Sequence, residues 1–161
     1  MLARGGAPPA SPGGDAPGVF SLYFFLANSS QTTMEHLTPK ETQEFLHQNP
    51  DAVFIDCRSE MEYLFVGHPA GSIWIPWNDG PNWDVNPEFV GHVRKAASQN
   101  RPVVLICRSG KRSVDAGMEL EKHGFSKVYN VLHGFEGDLD DTHHRSTKNG
   151  WRFDGLPWEQ C

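Results

Sequence analysis

Four short apolar runs set what this chain can fold into: Ala52–Asp56, Ser72–Pro76, Val103–Ile106 and Lys127–Val131. They are continuous rather than alternating, which is the pattern of strands buried on both faces. Helical signals separate them. Thr38-Pro39-Lys40-Glu41 supplies an N-cap, a proline at the first helical position and a glutamate three residues after the cap, opening a helix to about Gln48. Asn49-Pro50-Asp51 then breaks the chain before the first run. Ser59-Glu60-Met61-Glu62 reads as a second cap with a short helix. Further helices are expected over Pro87–Ser98 and Ser113–His123, the latter stopped by Gly124. Buried strands separated by helices predict an α/β domain with a parallel sheet covered on both faces. Ligands of such sheets bind beyond the carboxyl ends of the strands. Asp56-Cys57-Arg58 and Cys107 fall at such ends.

The run Val103–Ile106 leads straight into Cys107-Arg108-Ser109-Gly110-Lys111-Arg112, and apolar residues at helical spacing follow from Ser113. A thiol is thus expected on a tight turn feeding a helix N-terminus, beside three cations, in a chain of net charge −6. Helix N–H groups, the helix dipole and neighbouring guanidinium or ammonium groups all favour thiolate over thiol and hold an anion beside it. A buried structural role is the usual fate of a free cysteine, but this setting marks Cys107 as a nucleophile.

The acidic balance excludes a general nucleic-acid binder, which needs a basic stripe, and points to a small anionic substrate. No apolar run approaches the roughly 20 residues of a membrane span. Three cysteines (Cys57, Cys107, Cys161) form neither a disulfide framework nor a zinc-ligand pattern. Reduced thiols and a cytoplasmic location are therefore expected. Residues 1–33 differ from the rest: a Gly-, Pro- and Ala-rich start to Gly18, then the apolar stretch Val19–Ala27. They are expected to be a disordered extension, with the folded domain over 34–161. Export to the periplasm is the competing reading, but the long Pro-rich spacer and the poor cleavage site at Ala27-Asn28-Ser29 argue against a signal peptide.

At this point the chain resembles the rhodanese (sulfurtransferase) family, single-domain type. The resemblance runs from about Met34 to Trp158 and rests on four segments in order. Phe54-Ile55-Asp56-Cys57-Arg58-Ser59-Glu60-Met61-Glu62-Tyr63 is similar to the family's strand-Asp-x-Arg segment. Gly67-His68-Pro69-Ala70-Gly71-Ser72-Ile73-Trp74-Ile75-Pro76 resembles its Gly-His-Ile-Pro-Gly motif, shortened by one residue. The Cys107–Ser113 loop and Val131-Leu132-His133-Gly134-Phe135-Glu136-Gly137 complete the set. The resemblance implies a five-stranded parallel sheet and persulfide chemistry without a cofactor or metal. Cys107 would take a sulfane sulfur from a small anionic donor such as thiosulfate and pass it to cyanide, a thiol or a sulfur-relay protein.

In that scheme Arg108 and Arg112 bind the donor's sulfonate and Lys111 adds a point charge. The backbone of Arg108, Ser109, Gly110, Lys111, Arg112 and Ser113 stabilises the persulfide anion. Gly110 lets the backbone turn inward and Ser113 caps the helix. Arg58 is a candidate substrate contact or half of a scaffold pair with Asp56, whose expected role is structural support. A structural bridge from Arg112 to Asp56 is the competing role for that arginine. His68 is expected to pack or cap. Cys57 reads as a core residue, with a resolving-thiol role left open, and Cys161 as exposed and inert.

Counting from Cys107, Arg112 is the sixth residue. The phosphatases and arsenate reductases related to this family use a loop one residue longer. The shorter loop disfavours that alternative, since a tighter ring of donors suits a terminal sulfur better than a tetrahedral oxyanion. A sulfur-relay or sensing module is a further reading. A catalytically inert binding domain is disfavoured because the cysteine is present. Asp138–His144 matches no metal-ligand spacing and reads as a solvated acidic loop. Gly150–Trp158 reads as aromatic anchors packing the C-terminal segment, or as a wall of the site.

Overall fold

The elements follow in the order β1 (Glu35–Leu37), α1 (Pro39–Gln48), β2 (Val53–Asp56), a π-helical turn (Glu62–Val66), β3 (His68–Pro69), β4 (Ile73–Trp74), β5 (Asn78–Asp79), β6 (Asp84–Val85), α2 (Phe89–Ala96), β7 (Val103–Ile106), α3 (Arg112–Lys122), β8 (Val128–Val131) and β9 (Trp158–Glu159). This is a computed structural model, and it describes residues 32–161. The expected disorder of the N-terminal extension lies outside the described residues up to Gln31. Thr32 and Thr33 are described, and both hydrogen-bond to the Glu121 carboxylate on α3.

Five strands form one parallel sheet in the order β1-β8-β7-β2-β4. The two central strands, β2 and β7, are buried along their whole length. Their side chains alternate between two cores, as a pleated strand dictates. Val53, Ile55, Val103 and Leu105 meet Phe89 and Val93 of α2 and Ala116 and Leu120 of α3. Phe54, Val104 and Ile106 meet Phe45 and Leu46 of α1, together with Phe135 and Trp151. The sheet is therefore covered on both faces. Burying a side chain such as Leu105 contributes about 1.5–3 kcal/mol, and truncating it to alanine costs about 2–5 kcal/mol through the cavity left behind.

The capping box opening α1 forms as expected: the Thr38 hydroxyl accepts from Glu41 N, and the Glu41 carboxylate accepts from Thr38 N. Ser59 and Glu62 make the same reciprocal pair, but the turn they open is π-helical rather than a regular short helix. α2 is shorter than expected because Asn86 caps a turn at its start, with Asn86 Oδ1 accepting from Glu88 N. The edge strand β1 has no clear sequence signal. It contains one apolar residue, Leu37, and pairs on one side only, with β8. Among the described residues, no helix is long and apolar enough to cross a membrane.

Candidate active site

β7 delivers Cys107 to the carboxyl edge of the sheet, and α3 begins five residues later at Arg112. The intervening loop is held from behind by the segment after β8. Phe135 N donates to Cys107 O at 2.8 Å, and Glu136 N and Gly137 N both donate to Arg108 O at 3.0 and 3.2 Å. These bonds tie the loop carbonyls to the segment behind the loop. Gly110 N donates to Cys107 Sγ at 3.1 Å. Gly134 permits this arrangement: its φ is +60°, and a Cβ there would collide with the Cys107 carbonyl oxygen.

Ser113 does not cap α3 as expected. It lies one residue inside the helix, where Lys111 holds the cap position in a helical conformation with no side-chain cap bond. Its hydroxyl is instead turned to the sulfur, 3.2 Å from Cys107 Sγ, and donates to Asn130 Oδ1 at 2.5 Å. Asn130 in turn reaches His36 Nδ1 at 3.0 Å. A buried polar line thus runs from the edge strand to the nucleophile.

Cys107 is only 1% exposed. Burial alone pushes its thiol up. The neighbouring Cys57 thiol, the Ser113 hydroxyl and N–H, and the charge of Arg112 more than offset this, bringing it down to about 5. Arg112 does not pair with Asp56. Its two terminal nitrogens grip both oxygens of Glu62 at 2.8 and 2.7 Å, a bidentate pair on the π-helical turn. Burial pushes the Glu62 carboxyl up, but Arg112 and the Ser59 N–H and hydroxyl hold it down at about 2. The Arg112 guanidinium also lies 5.1 Å from the Trp83 ring centre, and Trp83 is 49% exposed with φ of +58°. Arg108 and Lys111 point outward and are exposed, while Ser109 and Gly110 are half-buried.

Arg58 is not a substrate contact. It is fully buried, with Nε and Nη2 on the Asp56 carboxylate (2.6 Å at the shortest) and Nη2 also on the Gly67 carbonyl. Its guanidinium stacks 4.4 Å over the Phe135 ring. Nη1 has no hydrogen-bond partner, and its nearest acidic atom is Glu136 Oε2 at 3.9 Å. The scaffold pair with Asp56 is what forms, and it joins the end of β2 to the segment that props the Cys107 loop. His68 packs: it stacks on Tyr63 with ring centres 3.7 Å apart and Nδ1 on the Tyr63 carbonyl.

Sequence reasoning passed over Glu62, Asn130, Trp83 and Gly134 as site residues. The Ser59-x-x-Glu62 signature announced an anchored carboxylate, but not that its partner would lie 50 residues away. Asn130 stands out only as an amide inside the apolar run of β8. Away from the site, Asp140 organises its loop by accepting from Thr142, His144 and Thr147. Trp151 is buried against Phe54, and Trp158 packs edge-on to Phe135, so the C-terminal segment backs the second core. Phe153 remains half-exposed and Cys161 exposed.

The model of the rhodanese-like domain matches residues 38–140. The crystal structure of Rv0390 from M. tuberculosis superimposes with a TM-score of 0.74 at 37% identity, covering 81% of this chain and all of that one. Thiosulfate sulfurtransferase GlpE of Glaesserella parasuis is 28% identical over 107 residues, 66% of this chain and 88% of its own. An uncharacterized protein of Rickettsia conorii is 26% identical over 135 residues, 79% of this chain and 98% of its own. A propped Cys107 loop at the head of α3, on a five-stranded parallel sheet, thus has its counterpart in known proteins: the chain belongs to the rhodanese-like family.

Proposed function

We propose that the protein is a sulfurtransferase that carries a sulfane sulfur as a persulfide on Cys107. The observation that carries this reading is the setting of the sulfur. Cys107 Sγ accepts Gly110 N–H and meets the Ser113 hydroxyl at the head of α3, with its titration lowered to about 5. At neutral pH it is a thiolate. Sulfurtransferases among the family's named members support the same direction.

In the first half-reaction the Cys107 thiolate attacks the outer sulfur of thiosulfate. A new S–S bond forms, the donor's S–S bond breaks, and sulfite leaves with the bonding pair. Arg108 and Lys111, exposed at the loop, draw the sulfonate end of the donor. Arg112, its fork held by Glu62, keeps a fixed positive charge beside the sulfur. In the second half-reaction cyanide or a thiolate attacks the outer sulfur of the persulfide, and Cys107 leaves as the thiolate that its surroundings favour. The loop N–H groups stabilise the anion in both states. The reading places the protein in a reducing compartment such as the cytoplasm, where its cysteines stay unpaired.

Thiocyanate formation from thiosulfate and cyanide tests the proposal, with p-nitrophenyl phosphate as the control substrate. Wild type forms thiocyanate, and Cys107→Ser loses the activity by about a thousandfold or more. Thiocyanate production that survives Cys107→Ser, or phosphate-ester hydrolysis faster than sulfur transfer, contradicts it.

A further inference from the structure

β2 and β7 pair in parallel register, Val53 with Val103 through Asp56 with Ile106. The next residues in that register are Cys57 and Cys107. The pairing continues past the strand ends, since Cys57 N donates to Ile106 O at 2.9 Å. By the alternation of the strands both cysteines face the α2 and α3 side, and both belong to that core. Neighbouring strands lie about 4.8 Å apart, within the roughly 4.4–6.8 Å Cα separation that a disulfide spans. Neither thiol is bonded to the other: Cys57 Sγ donates to Ile106 O at 3.3 Å, and both cysteines are free. Cys161, the remaining thiol, is exposed at the C-terminus.

We infer that Cys57 is a resolving thiol that discharges the Cys107 persulfide when no acceptor is at hand, and that this step rests on the persulfide reading above. Cys57 sulfur attacks Cys107 Sγ, the inner sulfur of the persulfide. A Cys57–Cys107 bond forms, the bond to the outer sulfur breaks, and that sulfur leaves as hydrosulfide, taking the proton that Cys57 gives up. The sulfane sulfur gains two electrons, and the two cysteine sulfurs lose one each. No outside oxidant is consumed, because the sulfane sulfur is itself the oxidant. The groups that cradle the sulfur come from the loop and α3, whereas Cys57 comes from β2, so attack does not require the cradle to open.

The surroundings of Cys57 set the pace of this step. Burial first, then the neighbouring Cys107 and Asp56, push its thiol well above the ordinary range. Little of it is thiolate, and attack by a thiol is slow in proportion. An available cyanide or thiolate therefore takes the sulfur first, and the internal step becomes visible only when acceptors run out. The enzyme then stops as a disulfide, which a dithiol reductant restores.

The test follows intact mass after a single addition of thiosulfate in a Cys161→Ser background, with no acceptor present. The expected course is one added sulfur on Cys107, decaying to a species that has lost two hydrogens, with one hydrosulfide released per chain. Peptide mapping then finds a Cys57–Cys107 bond. Cys57→Ser and Cys57→Ala hold the added sulfur without hydrosulfide release. An added sulfur that persists in the protein retaining Cys57 as long as in the Cys57 variants overturns the inference while leaving the sulfurtransferase reading intact. Failure to gain sulfur in any of the three proteins overturns both.

Discussion

Adjacent strands β2 and β7 end alike, one in Asp56-Cys57-Arg58 and the other in Ile106-Cys107-Arg108, each a cysteine followed by an arginine. Their fates differ because of what comes next. After β7 the chain turns directly into α3, so helix N–H groups and the Ser113 hydroxyl converge on the sulfur. After β2 the chain is drawn aside by the Ser59–Glu62 box, and Asp56 places a carboxylate beside the thiol. Cys107 is accordingly pushed down to about 5 and Cys57 upward. The arginines divide in the same way. Arg58 is sealed against Asp56 under Phe135, whereas Arg108 stands in solvent. A cysteine at a strand end becomes a nucleophile through the helix that follows it.

Arg58 offers the largest break of this contrast. Arg58→Ala leaves Asp56 buried without its partner and removes a prop of the Cys107 loop. Breaking a buried pair costs about 3–5 kcal/mol, which urea denaturation will show as a lowered midpoint. Wild-type stability would mean that the pair does not join the two strand ends energetically.

Gly134→Ala tests the backing of the loop from the other side. Its positive φ and the clash with the Cys107 carbonyl give an expected loss of about 1–3 kcal/mol. The displaced loop also loses sulfur-transfer rate, read by thiocyanate formation. An unchanged rate would show that the cradle does not depend on the β8 segment.

Arg112→Lys keeps the charge and loses the bidentate grip on Glu62. A drop of about tenfold in kcat/KM for thiosulfate is expected, the size of one charge-assisted hydrogen bond. A mutant as active as wild type would reduce Arg112 to a point charge. The smallest effect belongs to Lys111→Ala on the exposed rim: a change within about threefold, shrinking as salt is added. A large effect insensitive to salt would place Lys111 inside the site.

Local signals carried the frame of the fold. The Thr38–Glu41 capping box and the apolar run of β7 appear where the sequence puts them, because caps and continuous burial are properties of neighbouring residues. β1 was hidden because a three-residue edge strand with Glu35 and His36 draws its structure from β8, not from its own composition. The nucleophile and its turn were legible from strand, thiol and helix alone. The partners of the arginines were not. Glu62 and Asp56 were both in view, but which carboxylate meets which guanidinium depends on the register of β2 against β7 and on the path of the chain after Ser59. Ser113 misled for a related reason. Hydroxyls favour helix starts, yet the helix begins one residue earlier and the side chain turns inward to Asn130.

The separation of the two thiols is tested most directly by alkylating the folded protein with iodoacetamide across pH and locating the label by peptide mass. A thiol at about 5 in the folded state, against an ordinary 9.0, binds fewer protons folded than unfolded between those limits. Its contribution to stability is therefore complete above about pH 9 and lost as pH falls through about 5. The labelling rate at Cys107 should rise through a midpoint near pH 5 and level off, with Cys57 unlabelled up to pH 8. A Cys107 midpoint at pH 8 or above, or Cys57 labelled first, would contradict the account.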